Sequence, residues 1–522
     1  MYRQPIRLLH ESLSQNAEAA SDKQALVIEG ISYSYIKLYD SALRLANCLK
    51  RRGLAQGDRV AVYMDNTWPC VVSIYAILIA GGVFLIINPQ TKAAKLKFIL
   101  NDSEATFLIT DIHLKNFFID VIKDSSKLRG VICSGCASDS FMDECNIRIE
   151  SFEEVINSSK ADRPITNVIS LDLAALIYTS GSTGDPQGVM MTHQSMVFAT
   201  QSLIEYLKLS PEHRIINVLP LAFDYGLYQL IMTIFLGATL ILERSFIYPA
   251  QALNRVKQNE ITVFPGVPTV FTTLVNIHRR NPISLHTVLR VTNTAAALPP
   301  DYQPLLKEIF PNALIYRMYG LTECKRVCYL DPALADIKPT SVGKAIPGTQ
   351  AFILSPEGKP VPHETPGILH VRGAHIMKGY WKQPERSARM LKPGPYPGEY
   401  ILCTQDWFKE DKDGDLYFLG RSDDIIKSRG EKVSPIEIEN VLYGIPGIKE
   451  AAVIGIDDPI AGQAIKAFIV PHRDYALDEQ NIKKYCIQHL ENFKIPQQIK
   501  FVDSLPKTAN GKIDKLKLKK AD

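Results

Sequence analysis

The sequence has few cysteines and no marked excess of either charge. Its nine cysteines in 522 residues are too few for a disulfide-rich scaffold. Cys133 and Cys136 are spaced like a metal-binding pair, but no second pair at zinc spacing accompanies them. With 59 lysines and arginines against 55 acidic residues, the net charge is only +4, too weak to indicate a nucleic-acid partner. We therefore predict reduced thiols in a cytoplasmic protein that binds no nucleic acid.

Long hydrophobic segments are also scarce. The N-terminal segment is polar and lacks the apolar core of a signal peptide. Residues 70–87 form one uncharged run, which just reaches the length of a membrane span. Gly81 and Gly82 divide that run into a helix-like half and a β-rich half. The pattern favours a buried helix that leads into a buried strand, and we predict no stable membrane span.

The composition is that of a globular protein, with 46% hydrophobic and 22% charged residues. Short apolar runs alternate with amphipathic segments as far as about residue 340, which predicts βαβ units and parallel sheets. Shorter strands separated by turns follow and indicate a small β-barrel-like module. A polar stretch at 420–435 precedes a mixed helix and strand pattern. We therefore predict an α/β protein with a large N-terminal domain, residues 1–420, and a small mobile α+β C-terminal domain, residues 421–522.

A segment rich in glycine, serine and threonine, residues 178–188, follows a predicted strand. Small residues allow the backbone to approach a polyanion, and hydroxyl and main-chain N–H groups can then hold phosphate oxygens. The segment lacks the Walker lysine pattern, and its composition is equally typical of a surface loop. Taken alone, it leaves both interpretations open.

Further motifs offer groups suited to a nucleotide and a divalent cation. Residues 319–323 supply a hydroxyl and the Glu323 carboxylate, and a carboxylate beside phosphates usually shares a cation with them. The alternative for Glu323 is a position at a helix N-terminus. Asp406 is suited to ribose hydroxyls, and Arg421 and Lys512 each follow a glycine. The lysines around Lys512 are also compatible with a solvated basic surface.

Together these motifs resemble the adenylate-forming superfamily, which includes acyl-CoA synthetases, firefly luciferase and the adenylation domains of nonribosomal peptide synthetases. The resemblance covers nearly the whole chain. The segments that carry it are, in order, 32–49, 57–66, 178–188, 262–271, 319–323, 341–348, 420–439 and 505–514.

The resemblance implies a role for each matching residue. Thr322, Glu323 and Lys512 would be catalytic: Thr322 touches the α-phosphate, Glu323 holds Mg²⁺, and Lys512 bridges the substrate carboxylate and the α-phosphate. ATP would be bound by Thr179, Ser180, Gly181, Ser182, Thr183, Gly184, Gln187, Tyr319, Asp406 and Arg421. The acyl pocket would be formed by Asp224, Tyr225, Ala295, Ala296, Ala297 and Gly320. Asp423 would be the hinge of the C-terminal domain, and Gly430 would line the channel for a thiol arm.

Several positions depart from the pattern of the superfamily. Gln187 stands where a lysine is usual, and an amide brings no charge to a phosphate. Gln405 replaces the usual glycine before Asp406, and Ile368 replaces a usual glutamate. A glycine-rich turn has become three alanines at 295–297. These changes keep open a catalytically silent nucleotide-binding protein as an alternative to an enzyme.

The prediction of the acyl substrate depends mainly on Asp224. Phe223 stands where acyl-CoA ligases often have histidine, whereas the pair Phe223–Asp224 resembles amino-acid-activating members, whose aspartate pairs with an α-ammonium. A buried aspartate without a cationic partner would be costly, so a pocket-facing Asp224 would favour an amino or hydroxy acid. The alternative is that Asp224 caps the following helix.

We predict an ATP-dependent, AMP-forming carboxylate–thiol ligase. A carboxylic acid and ATP would give acyl-AMP and pyrophosphate, and a phosphopantetheine thiol would then take the acyl group. The thiol would belong to CoA or to a carrier protein acting in trans. One alternative is an amino-acid–carrier-protein ligase in which Asp224 pairs with the substrate ammonium. The other is the catalytically silent nucleotide-binding protein.

Overall fold

The computed structural model describes residues 5–137, 147–180, 186–294, 302–422, 424–428, 431–458, 462–472, 475–508 and 512–520. In these ranges, no helix is both long enough and apolar enough to cross a membrane. The uncharged run at 70–87 divides as predicted, into a helix, Trp68–Ile79, and a buried strand, Val83–Ile87.

The strands follow the apolar runs of the sequence closely. In chain order they are β1 Gln24–Ile28, β2 Ile31–Ser34, β3 Arg59–Tyr63, β4 Val83–Ile87, β5 Phe107–Asp111, β6 Gly130–Ser134, β7 Ile149–Ser151, β8 Leu173–Ser180, β9 Pro186–Thr192, β10 Arg214–Asn217, β11 Thr239–Leu242, β12 Val263–Gly266, β13 Arg290–Asn293, β14 Leu314–Tyr319, β15 Cys328–Leu330, β16 Lys344–Ala345, β17 Gln350–Leu354, β18 Gly367–Arg372, β19 Leu391–Pro393, β20 Tyr400–Glu410, β21 Leu416–Arg421, β22 Ile426–Ser428, β23 Glu431–Val433, β24 Ile448–Asp458, β25 Gly462–Pro471 and β26 Gln498–Phe501.

The helices occupy the amphipathic segments between strands. They are α1 Glu11–Ala19, α2 Tyr35–Arg51, α3 Trp68–Ile79, α4 Ala93–Ser103, α5 Lys115–Lys123, α6 Phe152–Ser158, α7 His193–Leu207, α8 Asp224–Leu236, α9 Pro249–Gln258, α10 Pro268–Arg280, α11 Tyr302–Ile309, α12 Pro384–Met390, α13 Pro435–Tyr443, α14 Glu479–His489 and α15 Lys515–Lys520.

Two large sheets form the first part of the chain. One has the strand order β7-β6-β5-β3-β4-β8-β9, and all its pairs are parallel except the β8–β9 hairpin. The other has the order β16-β15-β14-β13-β12-β10-β11-β1-β2 and is parallel from β14 to β1. Because the carboxyl ends of parallel strands meet at one edge, the segments that follow β10, β13 and β14 converge there.

Two smaller, mostly antiparallel sheets follow. Strands β17 to β21 form the third sheet, in which β21 pairs with β20. Strands β22 to β26 form the fourth, which packs with α13 and α14 around a core of its own that includes Ile438, Val453 and Ile469. The predicted fold class, large α/β sheets followed by a β-rich module and a small α+β unit, is confirmed.

Candidate active site

The glycine-rich segment joins the two strands of the β8–β9 hairpin. Thr179 pairs with Gln187, and Ser180 pairs with Pro186. Gln187 is only 3% exposed, so its amide belongs to the base of the hairpin and not to open solvent. The predicted phosphate contacts Gly181, Ser182, Thr183 and Gly184 lie outside the described residues, as does the side chain of Ser180.

Neighbouring aromatic residues fix this hairpin in place. The Tyr178 hydroxyl donates to Asp102 Oδ2 at 2.5 Å. A Cβ added at Gly188 would lie 3.2 Å from the Tyr178 ring and 3.3 Å from Trp381 Cβ. A side chain at position 188 would therefore need Tyr178 and Trp381 to shift by a few tenths of an ångström, so glycine favours this close contact between β9 and the segment that contains Trp381.

Asp406 is the most enclosed carboxylate of the predicted ATP site, at 5% exposure. The Tyr319 hydroxyl donates to its Oδ2 at 2.5 Å, and Arg421 Nε lies 3.7 Å from its Oδ1. Burial raises the pKa of Asp406 to about 6, although Arg421 acts in the opposite direction. The structure thus brings together the three residues expected to bind adenine and ribose.

The backbone before Asp406 explains why glycine is usual at position 405. Gln405 has a φ of 60°, in the left-handed region that favours glycine. Its carbonyl accepts hydrogen bonds from the Ser422 N–H at 3.0 Å and the Ser422 hydroxyl at 2.6 Å. These bonds hold the turn that brings β21 against Asp406.

Thr322 and Glu323 follow β14 in a turn and not in a helix, so the helix N-terminus interpretation of Glu323 is wrong. The Tyr380 hydroxyl donates to Glu323 Oε1 at 2.7 Å, and the Glu323 carbonyl accepts from the Met377 N–H at 2.7 Å. Among the described residues, no hydrogen bond involves Oε2. An ionised carboxylate with one free oxygen fits a Mg²⁺ ion shared with phosphate oxygens.

Lys512 lies beside these groups, although it is distant from them in sequence. Its main-chain carbonyl accepts from the Thr508 N–H at 2.8 Å, and its N–H donates to Thr508 Oγ1 at 3.2 Å, which closes the preceding turn. The residue is exposed, yet desolvation and the Arg421 guanidinium lower the pKa of its ammonium. Asp224, Asp406 and Glu323 act on the same pKa in the opposite direction.

Asp224 opens α8 but does not cap it, so the capping interpretation is wrong. Its Oδ2 lies 3.3 Å from Nζ of Lys325, whose side chain is 2% exposed. Desolvation lowers the pKa of Lys325 to about 7, and the nearby Asp224 opposes that shift. Asp224 is therefore a partly buried carboxylate that already has a cationic partner within the chain.

The remaining pocket residues pack around this pair. The Tyr225 hydroxyl is 2.8 Å from the Thr292 carbonyl, to which it donates, and Lys325 Nζ lies 4.3 Å from the Tyr228 ring centre. A Cβ at Gly320 would lie 2.2 Å from the Lys325 carbonyl oxygen, so glycine is required there. Ala295, Ala296 and Ala297 lie outside the described residues, as do the predicted hinge Asp423 and the predicted thiol-channel residue Gly430.

No prediction from the sequence included Lys325, Arg326 or Tyr380. Lys325 and Arg326 are 3% and 1% exposed, although adjacent charged residues usually indicate a surface. The only signal for them was their place directly after the 319–323 motif, within an otherwise apolar stretch. Nothing in the sequence indicated Tyr380, because only the folded chain brings it close to Glu323.

A second cluster of carboxylates lies at the turn between β20 and β21. Asp411, Asp413 and Asp415 each lie 2.7 Å from Lys338 Nζ. A single ammonium therefore offsets part of the charge of this cluster and joins the turn between the two strands to the segment after β15.

Comparison with known proteins shows the family of the chain. Residues 13–381 match the family described as AMP-binding enzyme, and residues 437–512 match the AMP-binding enzyme C-terminal domain. The chain belongs to the AMP-binding enzyme family. The long-chain-fatty-acid–CoA ligase of Bacillus subtilis is 30% identical over 98% of this chain and 93% of its own length. Feruloyl-CoA synthase of Amycolatopsis is also 30% identical, over 93% of each chain.

Solved structures show the same architecture. ATP-bound MatB of Rhodopseudomonas palustris has a TM-score of 0.87 at 27% identity and covers 98% of both chains. The anthranilate CoA ligase AuaEII bound to anthranoyl-AMP has a TM-score of 0.89 at 26% identity, over 98% of this chain and 97% of its own. The prediction of an ATP-dependent, AMP-forming acid–thiol ligase is confirmed, with CoA or a carrier phosphopantetheine as the acceptor.

Proposed function

We propose that this protein activates a carboxylic acid as acyl-AMP through Lys512, Glu323 and Asp406 and then transfers the acyl group to a thiol. The observation that carries the proposal is that Tyr319 and Arg421 hold the Asp406 carboxylate, while Asp406, Glu323 and Asp224 all act on the Lys512 ammonium. We further propose a cytoplasmic location and, as the thiol, CoA or a carrier protein acting in trans.

In the proposed first step, charged groups of the protein lie where the reaction develops the opposite charge. The substrate carboxylate attacks the α-phosphorus of ATP, and pyrophosphate leaves with the electron pair of the broken P–O bond. Lys512 would neutralise charge on the carboxylate and α-phosphate oxygens, and Thr322 would donate a hydrogen bond to the α-phosphate. Mg²⁺ held by Glu323 would supply further neutralisation of the phosphates. Asp406 and Tyr319 would orient the nucleoside.

For the second step we propose that the C-terminal unit, residues 421–522, rotates about Asp423 and removes Lys512 from the cleft. The thiol sulfur would then attack the acyl carbon, and AMP would leave. A channel past Gly430 would admit the phosphopantetheine arm. The separate core of the fourth sheet supports such a rigid-body rotation, since no buried cluster would have to be broken.

The amino-acid alternative is disfavoured by the pairing of Asp224. Lys325 already occupies the position beside that carboxylate that a substrate ammonium would need. Binding an α-ammonium there would require a buried lysine to lose its partner, which is costly. Asp224 is therefore better explained as the counter-ion of Lys325.

The direct experiment is ATP–pyrophosphate exchange without a thiol, across fatty, aryl, hydroxy, amino and dicarboxylic acids. We expect exchange with one class of acid, and its loss in Lys512→Ala. Silence across the panel from a protein that binds ATP would favour the silent nucleotide-binding alternative instead.

We expect Gln187→Lys to lower the apparent KM for ATP about fivefold, since a charge-assisted hydrogen bond to phosphate adds about 1 kcal/mol over a neutral one. Exchange kinetics at varied ATP measure this. Gln187→Met is the control of similar length that removes all polar contacts, and it should raise the KM. An unchanged KM in the lysine variant would show that residue 187 does not face the phosphates.

We expect adenosine to bind nearly tenfold more tightly at pH 7 than at pH 5. The carboxyl of Asp406, whose pKa is about 6, accepts ribose hydroxyls best when ionised, and roughly a tenth of the sites are ionised at pH 5. Adenosine itself does not titrate in this interval, so calorimetry at several pH values isolates the protein group. Asp406→Asn should bind weakly without this pH dependence, and a flat profile in the unaltered protein would exclude the role.

The same pKa has a consequence for stability. Because the folded pKa of Asp406 lies above its unfolded value of about 3.9, its contribution to folding is complete below about pH 4. That contribution is lost as the pH rises through about 6. The free energy of unfolding of Asp406→Asn should therefore decline less over this interval.

A further inference from the structure

Arg326 is a buried cation for which the described part of the chain supplies no anion. It is 1% exposed, and its Nη1 donates to Thr294 Oγ1 at 2.5 Å. Its Nε has no hydrogen-bond partner, and no described carboxylate forms an ion pair with it. A buried guanidinium without a counter-ion is strongly unfavourable, so an ordinary structural role does not explain this residue.

The position of Arg326 places it on the acyl side of the cleft. Its guanidinium carbon lies 5.5 Å from the ring centre of Tyr225, the second residue of α8, and Thr294 directly follows β13. A Cβ at Gly320 would lie 2.9 Å from Arg326 Cα, which shows how closely the 325–326 segment folds back on the motif after β14. The nucleotide groups Glu323 and Asp406 bind elsewhere, to Tyr380 and Tyr319.

The charge on this side of the cleft is positive. Asp224 pairs with Lys325, whereas no described carboxylate pairs with Arg326. Thr294 and Arg326 together present a hydroxyl and a forked set of N–H donors, the geometry that best matches a carboxylate. One cation on this side of the cleft therefore lacks an anion among the described residues, in addition to the ammonium that meets the reacting carboxylate.

We propose that the acyl substrate is a dicarboxylic acid, one carboxylate being activated beside Lys512 while Arg326, with Thr294, binds the other. This inference rests on the proposed function and specifies its substrate class. The distal carboxylate supplies a counter-ion that the described part of the chain lacks. A sulfonate or phosphonate at the same position would share this chemistry, and acids that carry them are separate arms of the test.

The test compares acids that differ only in the distal group. Pyrophosphate exchange is measured with succinate, glutarate and adipate, each against its own monoamide, which keeps the length and removes the second charge. We expect at least one dicarboxylate to exceed its monoamide by a hundredfold or more in kcat/KM. Sulfonate and phosphonate analogues of that length show whether the site requires a carboxylate or any oxyanion.

Arg326→Met, which conserves volume without charge, should abolish this preference. We expect the KM for the dicarboxylate to rise at least tenfold while the kcat/KM for the monoamide stays the same or rises. The melting temperature should stay the same or increase, because no ion pair is lost; a merely structural arginine would lower it. Arg326→Gln, which keeps a donor for Thr294, provides a second variant, and Arg372→Met, at an ion pair with Glu399 in the third sheet, is the control.

Three results would overturn the inference. Equal kcat/KM values for dicarboxylates and their monoamides would show that the protein does not recognise a distal anion. An equal loss for both in the Arg326 variants would place Arg326 on the reacting carboxylate and leave the proposed adenylation intact. Absence of exchange with every acid, from protein that binds ATP, would contradict the proposed function itself.

Discussion

Lys512→Ala should slow the formation of acyl-AMP by two to three orders of magnitude and leave the folded protein intact. Removing one donor that stabilises developing charge typically costs a factor of about 10²–10³ in rate. The carboxylates of Asp224, Asp406 and Glu323 all act on the pKa of the Lys512 ammonium. Among the described residues, its side chain forms no ion pair that could stabilise the fold. Pyrophosphate exchange measures this step in isolation.

The second half-reaction separates this role from a general loss of activity. Thioester formation from preformed acyl-AMP should change less than about threefold, because we propose that Lys512 has left the cleft by then. Lys517→Ala is the matched control: Lys517 lies close by in α15, 3.6 Å from Asp514, and its removal should affect neither step. Equal losses in both half-reactions of Lys512→Ala would refute the assignment.

Glu323→Gln should reduce adenylation at least a hundredfold and raise the Mg²⁺ concentration needed for half-maximal rate. The amide oxygen can still accept the hydrogen bond of Tyr380, so the local fold is kept while the negative charge is lost. Without that charge the cation binds more weakly, and the phosphate charge is neutralised less. Exchange rates at varied total Mg²⁺ give both quantities.

Tyr380→Phe is the control for orientation. It removes the hydroxyl from Oε1 but keeps the carboxylate charge, so we expect a loss of about tenfold or less without a large change in Mg²⁺ dependence. If Glu323→Gln lowered the rate while the Mg²⁺ dependence stayed constant, the carboxylate would only position the turn after β14 and would not bind the cation.

Much of the fold could be predicted because the local sequence determines the hydrophobic period of each helix or strand and the residues at which it ends. The apolar runs that form β4 and β11 are buried almost throughout, as expected for central parallel strands. Gly81 marks the end of α3 with a φ of 80°, which is why the uncharged run divides there. The alternation of such runs with amphipathic helices was sufficient to predict large parallel sheets.

The site was only partly predictable. Residues in motifs, such as Glu323 and Asp406, could be assigned through the resemblance to a family, and the structure brings both toward Lys512. The environment of Asp224 could not be predicted. Its carboxylate could have capped α8 or faced an open pocket, and nothing close in sequence distinguished these possibilities.

The sequence by itself determined the strand and helix periods, the breaks between them and the set of motifs that defines the family. Only the tertiary structure decided that Lys325 pairs with Asp224, that Tyr380 orients Glu323, and that Arg326 is buried beside Thr294 without a counter-ion among the described residues. The reason is physical. Backbone geometry and amphipathic period are local properties, whereas the desolvation and pairing of a charge depend on residues that only the completed fold brings into contact.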